Sequence, residues 1–474
     1  MSFSLGQIGL YTDYYELSMA QGYFYAGKKN DRVVFDYFFR SSPFNGGFTV
    51  FAGLYDLLEI LSDYTFSPSD IEYLRSQGFK PGFLAFLKDF SFKGEIFSMA
   101  EGEIVFPNEP ILRTEGNIIE CQLIESLLLN ILNFETLIAT KAFRVWLASG
   151  KRAFSDFGLR RAQGFGALHA SRAACIGGAV FTSNVLAGKL FNIPVSGTQA
   201  HSWIQSFDDE LKAFRVYAEH NPEDTILLVD TFDTLNSGVP NAILVAKEME
   251  KKGQRLKGIR LDSGDLAYFS KKTRKLLDDA GLGYVKIVAS NQLNEYVIQS
   301  LINEQKAPID AFGVGTELTT GKPDAALDGV YKLAWVNGQS KMKVSENVEK
   351  TTLPGIKNVV RYYDEDGLFF RDGILNNSES VDSVQSIFHP IYPERRTNVS
   401  KLKKEPLLKK VLSKGEILTP KINPSEIFIY LSGRADKLPA EHKRFISPHI
   451  YKVGVSEILL NERAGLLSQY KSKE

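Results

Sequence analysis

The pattern of hydrophobic and polar positions changes twice along the chain. Up to about residue 115 it is aromatic-rich and mixes two periods. Arg32 to Arg40 (RVVFDYFFR) is a run of β-branched and aromatic residues and predicts a strand. Leu54 to Leu61 (LYDLLEIL) spaces its apolar positions as an amphipathic helix does. Gly102 to Gly116 (GEIVFPNEPILRTEG) has the strand, turn, strand look of a hairpin around Pro107 to Pro110. Ile118 to Ala148 is a long helical pattern with one expected break near Phe134. From about 150 to 320 short apolar runs alternate with helical stretches, the texture of βα units around parallel strands. The strands are expected at Ala153–Asp156, Gly178–Phe181, Ile193–Val195, Thr225–Val229, Lys257–Leu261, Val285–Ala289 and Ala311–Val314. Helices are expected at Asn184–Phe191, Ala242–Lys252, Leu266–Ala280 and Asn294–Glu304. Seven units fit an irregular (β/α) barrel better than an open sheet, and the glycine fingerprint of a dinucleotide fold is absent. From Tyr331 strand-like pieces return (YKLAWV, NVVRYYD, GLFFRDG), and no internal repeat stands out.

Composition narrows the class. A chain of 474 residues is long enough for two or three domains. Its 44% apolar and 24% charged residues are ordinary for a soluble globular protein. The 56 Lys+Arg balance 56 Asp+Glu, which argues against a nucleic-acid partner but leaves room for a local basic pocket. Two cysteines, Cys121 and Cys175, cannot build a disulfide framework and fit a reducing compartment. The opening residues lack a basic segment followed by an apolar one, so no secretory signal is read there. The most apolar stretch, Ser126 to Phe134, ends at Glu135, far short of the ~20 residues a bilayer span needs. A cytoplasmic protein with no membrane partner is expected.

The chemistry lies where the apolar runs end, because strand C-termini converge on one mouth in a barrel. Those positions read Asp156-Phe157-Gly158 with Arg160-Arg161, Thr182-Ser183-Asn184, Gly197-Thr198 through His201-Ser202, and Asp230-Thr231 with Asp233-Thr234. They continue with Arg260 and Asp262-Ser263-Gly264-Asp265, Ser290-Asn291, and Gly313-Val314-Gly315-Thr316. One such polar residue is as well explained by a helix N-cap. Seven consecutive strand ends are harder to explain so, and capping does not call for Arg160, Arg161, His201 or Arg260. Small residues at Gly313 and Gly315 with the Thr316 hydroxyl would let backbone N–H groups approach a phosphate. Asp262 and Asp265 are suited to ribose hydroxyls or to a Mg²⁺ carrying a pyrophosphate. The arginines suit planar recognition of phosphate or carboxylate. The set points to a phosphorylated sugar with a second anionic group.

These residues resemble the nicotinate phosphoribosyltransferase family from Tyr11 to about Arg361. The segments that carry the likeness are TDYYEL from Thr12, FDYFFRSSPF ending at Phe44, DFGLRRAQG from Asp156 and SNVLAG from Ser183. GTQAHS from Gly197, LLVDTFDT from Leu227, IRLDSGDL from Ile259, FGVGTELTT from Phe312 and KVSENVEKTTLPGIK from Lys343 complete the set. Beyond about residue 365 the likeness is loose. The resemblance implies ATP-coupled transfer of phosphoribosyl from phosphoribosyl pyrophosphate to nicotinate. It implies the irregular (β/α) TIM-like barrel of a type II phosphoribosyltransferase, over 118–330. Beside it stands an α/β domain built from 1–117 and completed by about 331–474, with a C-terminal extension, 365–474, of no assigned role. The family is usually a head-to-tail homodimer, uses Mg²⁺, and takes ATP as co-substrate.

Matched position by position, Phe157 stacks on one face of the pyridine ring and Tyr15 comes to the other face from the partner subunit. Arg160 and Arg260 match positions near the base and the ribose phosphate, and Ser202 a hydroxyl near the nicotinate carboxylate. Asn184 falls where the nicotinamide enzymes carry an acid, removing a repulsion for a carboxylate substrate. Phosphoribosyl pyrophosphate is expected at Arg40, Thr198, Ser263, Gly264, Asp265, Ser290, Gly313, Gly315 and Thr316, with Asp262 and Asp265 as metal ligands. His201 matches the histidine that ATP phosphorylates, a role an imidazole nucleophile can fill. His169, His220, His389, His442 and His449 are read as structural or exposed. A nicotinamide- or quinolinate-specific phosphoribosyltransferase, a barrel glycosidase using Asp230 and Asp262, and a non-catalytic metabolite-binding relative remain the alternatives.

Overall fold

The computed structural model describes residues 8–344 and 351–471. Residues 345–350, inside the KVSENVEKTTLPGIK segment, lie outside the described residues. The chain forms two compact units, one from Met1–Leu137, Ala326–Ile422 and Ile429–Glu474, the other from Ile138–Ala325 and Asn423–Phe428. The mixed α/β class expected from the sequence holds.

In the first unit a seven-stranded antiparallel sheet is built around Arg32–Phe39, which lies between Gly329–Val336 and Leu112–Asn117. Its consecutive aromatic and β-branched residues are buried on both faces rather than alternating. Helix Leu54–Ser62 packs Leu57, Leu58 and Leu61 into the same core as Phe35, Tyr37 and Phe39. A second sheet of six strands is made wholly from residues beyond 356.

Two expectations fail here for identifiable reasons. Gly102 to Gly116 is no hairpin. Ile104–Val105 pairs with Thr49–Val50, while Leu112–Asn117 joins the large sheet. The buried Arg361 guanidinium binds the Glu103 carboxylate (2.6 Å) and donates to the Ile104 carbonyl (2.8 Å), drawing that strand elsewhere. The long helical pattern breaks at Ile124, not near Phe134, giving Ile118–Leu123 and Glu125–Ala148. The break is satisfied from outside, since the Ser126 N–H donates to the Glu16 carboxylate at 2.9 Å. Both cysteines are free and buried, and burial pushes their thiols up to about 12, so neither is a reactive thiolate.

The second unit carries the site. Its strands are β1 (Ala153–Asp156), β2 (Phe181–Thr182), β3 (Ile226–Leu228), β4 (Gly258–Leu261), β5 (Lys286–Ser290) and β6 (Ala311–Val314). All pair in parallel, in the order β2-β1-β6-β5-β4-β3, so the first strand of the series lies against the last. The seventh apolar run, Ile193–Val195, contributes only a single bridge, Val195 to Thr182. Among the described residues no ladder joins Val195 to β3. There the Gln199 side-chain oxygen accepts from the Leu228 N–H at 3.2 Å, and the Gln199 amide nitrogen is buried without a partner. Leu227, Ile259 and Ile287 are fully buried under helices Val239–Lys251 and Leu266–Asp279. Deep in this unit Glu295 binds both Arg144 (2.9 Å) and Lys141 (2.5 Å), all three fully buried.

Candidate active site

Each strand of the second unit is short and apolar, and the chain turns polar as it leaves the sheet. Arg260, on β4, stands at the centre of these polar ends. Its guanidinium donates to the Thr198 hydroxyl (2.7 Å), the Ser290 hydroxyl (2.8 Å) and the Asp262 carboxylate (2.9 Å). It also stands 5.7 Å from the centroid of the Phe157 ring. Four strand ends that are far apart in sequence therefore meet at one cation. Ser290 donates in turn to Asp262. Burial pushes the Asp262 carboxyl up, but the Arg260 charge and the two hydrogen bonds outweigh it and hold the group below the usual carboxylate range.

His201 opens the short helix His201–Gln205. Its Nδ1 lies 3.0 Å from the Thr231 hydroxyl and its Nε2 3.8 Å from Asp262 Oδ2. Asp230 braces the neighbouring loop by accepting from the Asp262 N–H (2.7 Å) and the Ser263 hydroxyl (2.8 Å). Gly264 has φ +71°, a left-handed turn that lets the loop reach Asp265, and Asp265 caps helix Leu266–Asp279 through the Tyr268 N–H. Just after Ser290, Asn291 and Gln292 are also left-handed, a strained turn at a strand end.

Phe157 is seated rather than merely placed. Asp156, buried, accepts from the Gly158 N–H (2.8 Å), the Ser171 hydroxyl (2.7 Å) and the Thr182 hydroxyl (2.8 Å), fixing the turn that carries the ring. The ring packs on Gly313, where a Cβ would come within 2.4 Å of it. A Cβ on Gly315 would stand 3.2 Å from the Phe157 carbonyl oxygen. The phosphate-approach reading of Gly313 thus gains a competing cause, since its smallness admits the Phe157 ring. Gly313→Ala is expected to tilt Phe157 and raise the KM for a ring substrate by about tenfold, with less effect on phosphoribosyl pyrophosphate, measured by initial rates.

The structure brings together Phe157, Thr198, His201, Arg260, Asp262, Ser263, Ser290, Gly313 and Gly315. The side chains of Arg160 and Ser202 stand exposed with no hydrogen-bond partner among the described residues, and Thr316 begins a four-residue helix. Asn184 is buried and its amide is spent within the chain. It caps its helix through the Ala187 N–H (3.2 Å) and donates to the Ala167 carbonyl and the Ser171 hydroxyl (both 3.3 Å). Its bearing on substrate charge is therefore only that no acid stands there. Tyr15 and Arg40 lie in the first unit. Tyr15 is 45% exposed, and Arg40 approaches Asp328 at 3.8 Å. Asp156, Asp230 and Thr231 are legible in the sequence as polar strand ends, but nothing there assigns them these roles.

Family models decide the identity. The N-terminal domain model of nicotinate phosphoribosyltransferase matches residues 10–133, the family model residues 152–390, and the C-terminal domain model residues 356–463. The chain belongs to the nicotinate phosphoribosyltransferase family. It is 42% identical to the nicotinate phosphoribosyltransferase of Bacillus subtilis, over 98% of this chain and 96% of that one. It is 32% identical to the human protein of that name, over 95% of each. The crystal structure of human nicotinic acid phosphoribosyltransferase superposes with a TM-score of 0.86 at 31% identity, covering 96% of this chain and 99% of that one. Nicotinate-nucleotide pyrophosphorylase from Pyrococcus furiosus follows at 0.72, 25% identity, 92% and 97%. The resemblance read from the motifs is thereby borne out, and with it the expectation of an enzyme of NAD biosynthesis rather than a glycosidase or a passive binder.

Proposed function

We propose that this chain transfers the 5-phosphoribosyl group of phosphoribosyl pyrophosphate to the ring nitrogen of nicotinate, coupled to ATP, on an irregular (β/α) barrel, a reading that the parallel pairing of β1 with β6 supports. The observation that carries it is the convergence of Thr198, Asp262, Ser290 and the Phe157 ring on Arg260. The pyridine nitrogen is itself the nucleophile, so the chain needs no strong general base. Its nitrogen lone pair bonds to ribosyl C1 as the bond from C1 to pyrophosphate breaks. Phe157 stacks the ring, worth about 0.5–1.5 kcal/mol, Arg260 steadies the anionic leaving group, and Asp262 and Ser263 face the ribose.

Mg²⁺ fits the donors present. Asp262 has Oδ1 committed to Arg260 and Ser290, and Asp265 has Oδ1 committed to its helix cap, leaving one carboxylate oxygen each. A hydrated Mg²⁺ carried on phosphates asks little more of a protein, and when bound it neutralises charge on the departing pyrophosphate. His201 is the phosphoryl acceptor from ATP. Formation of nicotinate mononucleotide, assayed with and without ATP, tests this reading. With no acid beside the base, nicotinate should be preferred over nicotinamide by at least about 10²-fold in kcat/KM. Equal values would remove the argument from charge.

The exposed apolar surface of the second unit supports a homodimer. Val185 (71% exposed), Leu186 and Leu190 project from helix Val185–Phe191, beside exposed Val180, Phe181 and Val195. Apolar surface of that kind marks an interface. In the family pattern the partner's N-terminal segment then brings Tyr15 to the ring and Arg40 to the phosphates. Leu186→Asp with Leu190→Asp should yield monomers in sedimentation velocity, and those monomers should lose activity. Full activity in a monomer would refute it. No helix among the described residues is long and apolar enough to cross a membrane, which accords with a cytoplasmic setting.

A further inference from the structure

The first unit holds a cavity of about 610 Å³, a size that takes a small organic molecule. Five Lys and Arg side chains line it, and three of them already have acidic partners. Lys357 is bonded to Asp36 at 2.7 Å, Lys332 approaches Glu125 at 3.8 Å, and Arg40 approaches Asp328 at 3.8 Å. The other two, Arg463 and Lys452, form no ion pair among the described residues. Arg463, on helix Glu457–Lys471, is only 8% exposed. One of its terminal nitrogens donates to the Pro390 carbonyl, while its buried Nε has no partner. Burial pushes the guanidinium down and no carboxylate offsets it. The adjacent Glu462 does not serve it, because that carboxylate accepts from the Ser340 hydroxyl and from the Asn376 amide (2.9 Å). A buried cation left without a counter-charge is costly to keep, so an anion that supplies one is held the more firmly.

The bond to Pro390 ties Arg463 to the turn that carries His389. There the His389 Nδ1 accepts from the Ile391 and Tyr392 N–H groups, both at 3.1 Å, which leaves the ring hydrogen on Nε2. Burial, Arg395 and Lys452 push this imidazole down, so at pH 7 it is a neutral donor. Ile374, Ile391, Val453 and Val455 give the cavity an apolar wall as well. We propose that this cavity binds a phosphate monoester, with the phosphate on Arg463, Lys452 and the His389 Nε2–H and the organic part against the apolar wall. Two unbalanced cations match a phosphate dianion, and a planar guanidinium suits its oxygens. A carboxylate would leave one of the two charges unmet. None of these three polar residues belongs to the strand-end site, so the proposal stands apart from the transferase reading.

Inorganic phosphate and phenyl phosphate are titrated calorimetrically into the full-length wild type, Arg463→Met, Lys452→Ala and Arg260→Ala. The wild type should bind both, and phenyl phosphate about tenfold more tightly because its ring leaves water. Arg463→Met keeps the bulk of the stem, drops the charge, and should weaken both by at least about tenfold. Lys452→Ala, at an exposed position, should weaken them by about threefold. Arg260→Ala should retain this binding, since it alters only the strand-end site. Arg40 lines the same cavity, so the KM for phosphoribosyl pyrophosphate is the control, and it should be unchanged in Arg463→Met. Without ligand, Arg463→Met should melt above the wild type, a gain that removal of a satisfied ion pair would not give. No binding to the wild type, or binding unaltered in Arg463→Met and Lys452→Ala, would overturn the assignment. So would binding lost in Arg260→Ala instead, while phosphate held as tightly as phenyl phosphate would refute the monoester. Should Arg463→Met fail to fold, the Lys452→Ala titration decides alone.

Discussion

Arg260→Ala is expected to lower kcat/KM for nicotinate mononucleotide formation by about 10³-fold, the largest loss from any single change in this site. The variant removes three hydrogen bonds at once, to Thr198, Ser290 and Asp262, and takes the cation from over the Phe157 ring. It also leaves the half-buried Asp262 carboxylate without its cation. Burial already pushes that group up, so its carboxyl should rise above its present, depressed position. A carboxylate that repels the pyrophosphate adds to the loss. Arg260→Lys should recover little, because an ammonium on a flexible stem cannot span three partners in a fixed plane. Steady-state kinetics with both substrates varied would check this. A variant within tenfold of wild type would show that the cluster only shapes the loop.

The second large effect is on energy coupling. His201→Asn should abolish ATP stimulation and the acid-labile, base-stable phosphoenzyme, leaving at most a slow ATP-independent transfer. The fold should persist, since His201 is partly exposed and its ring nitrogens face Thr231 and, more distantly, Asp262. The Arg260 cluster and the Phe157 seat do not pass through it. Were His201 merely a hydrogen-bond donor to substrate, the variant would bind phosphoribosyl pyrophosphate less well yet still respond to ATP. Persistence of ATP stimulation is the result that refutes the acceptor role.

The second unit is legible in the sequence because each strand is an apolar run too short to be a helix, with its polar exit written next to it. β1, β4, β5 and β6 fall within a residue or so of the runs that predict them. Two runs are exceptions: Gly178–Phe181 meets its strand, Phe181–Thr182, at Phe181 alone, and Val195 lies in a run whose backbone makes one bridge and stops. The first unit is harder. A turn rich in proline looks the same whether its flanking strands pair with each other or with two different sheets. Distant groups decide between them, Arg361 at Glu103 and Ile104 and, further on, Tyr430 and Arg434 at Glu103. The helix break at Ile124 is likewise set by a distant carboxylate, Glu16. In the site, residue types announce the chemistry but not who serves whom. Gly313 makes room for Phe157, and Asn184 spends its amide on a cap. Such assignments depend on contacts across the sheet, which no local pattern records.

The interrupted ladder between Val195 and β3 has a mechanical consequence. A hydrogen-bonded strand pair moves as one piece, and five of the strand junctions in this unit are such pairs. Of the other two, Thr182 to Val195 is a single bridge, and between Val195 and β3 the Gln199 side chain takes the Leu228 N–H while its own nitrogen goes unbonded at a cost of about 1–3 kcal/mol. Residues 196–205, with His201 among them, follow that gap and are tied in through side chains, Thr198 to Arg260, His201 to Thr231 and Trp203 to the Ala213 carbonyl. The scaffold is therefore laddered where Arg260 holds its partners and joined by side chains alone beside His201, the proposed phosphoryl acceptor.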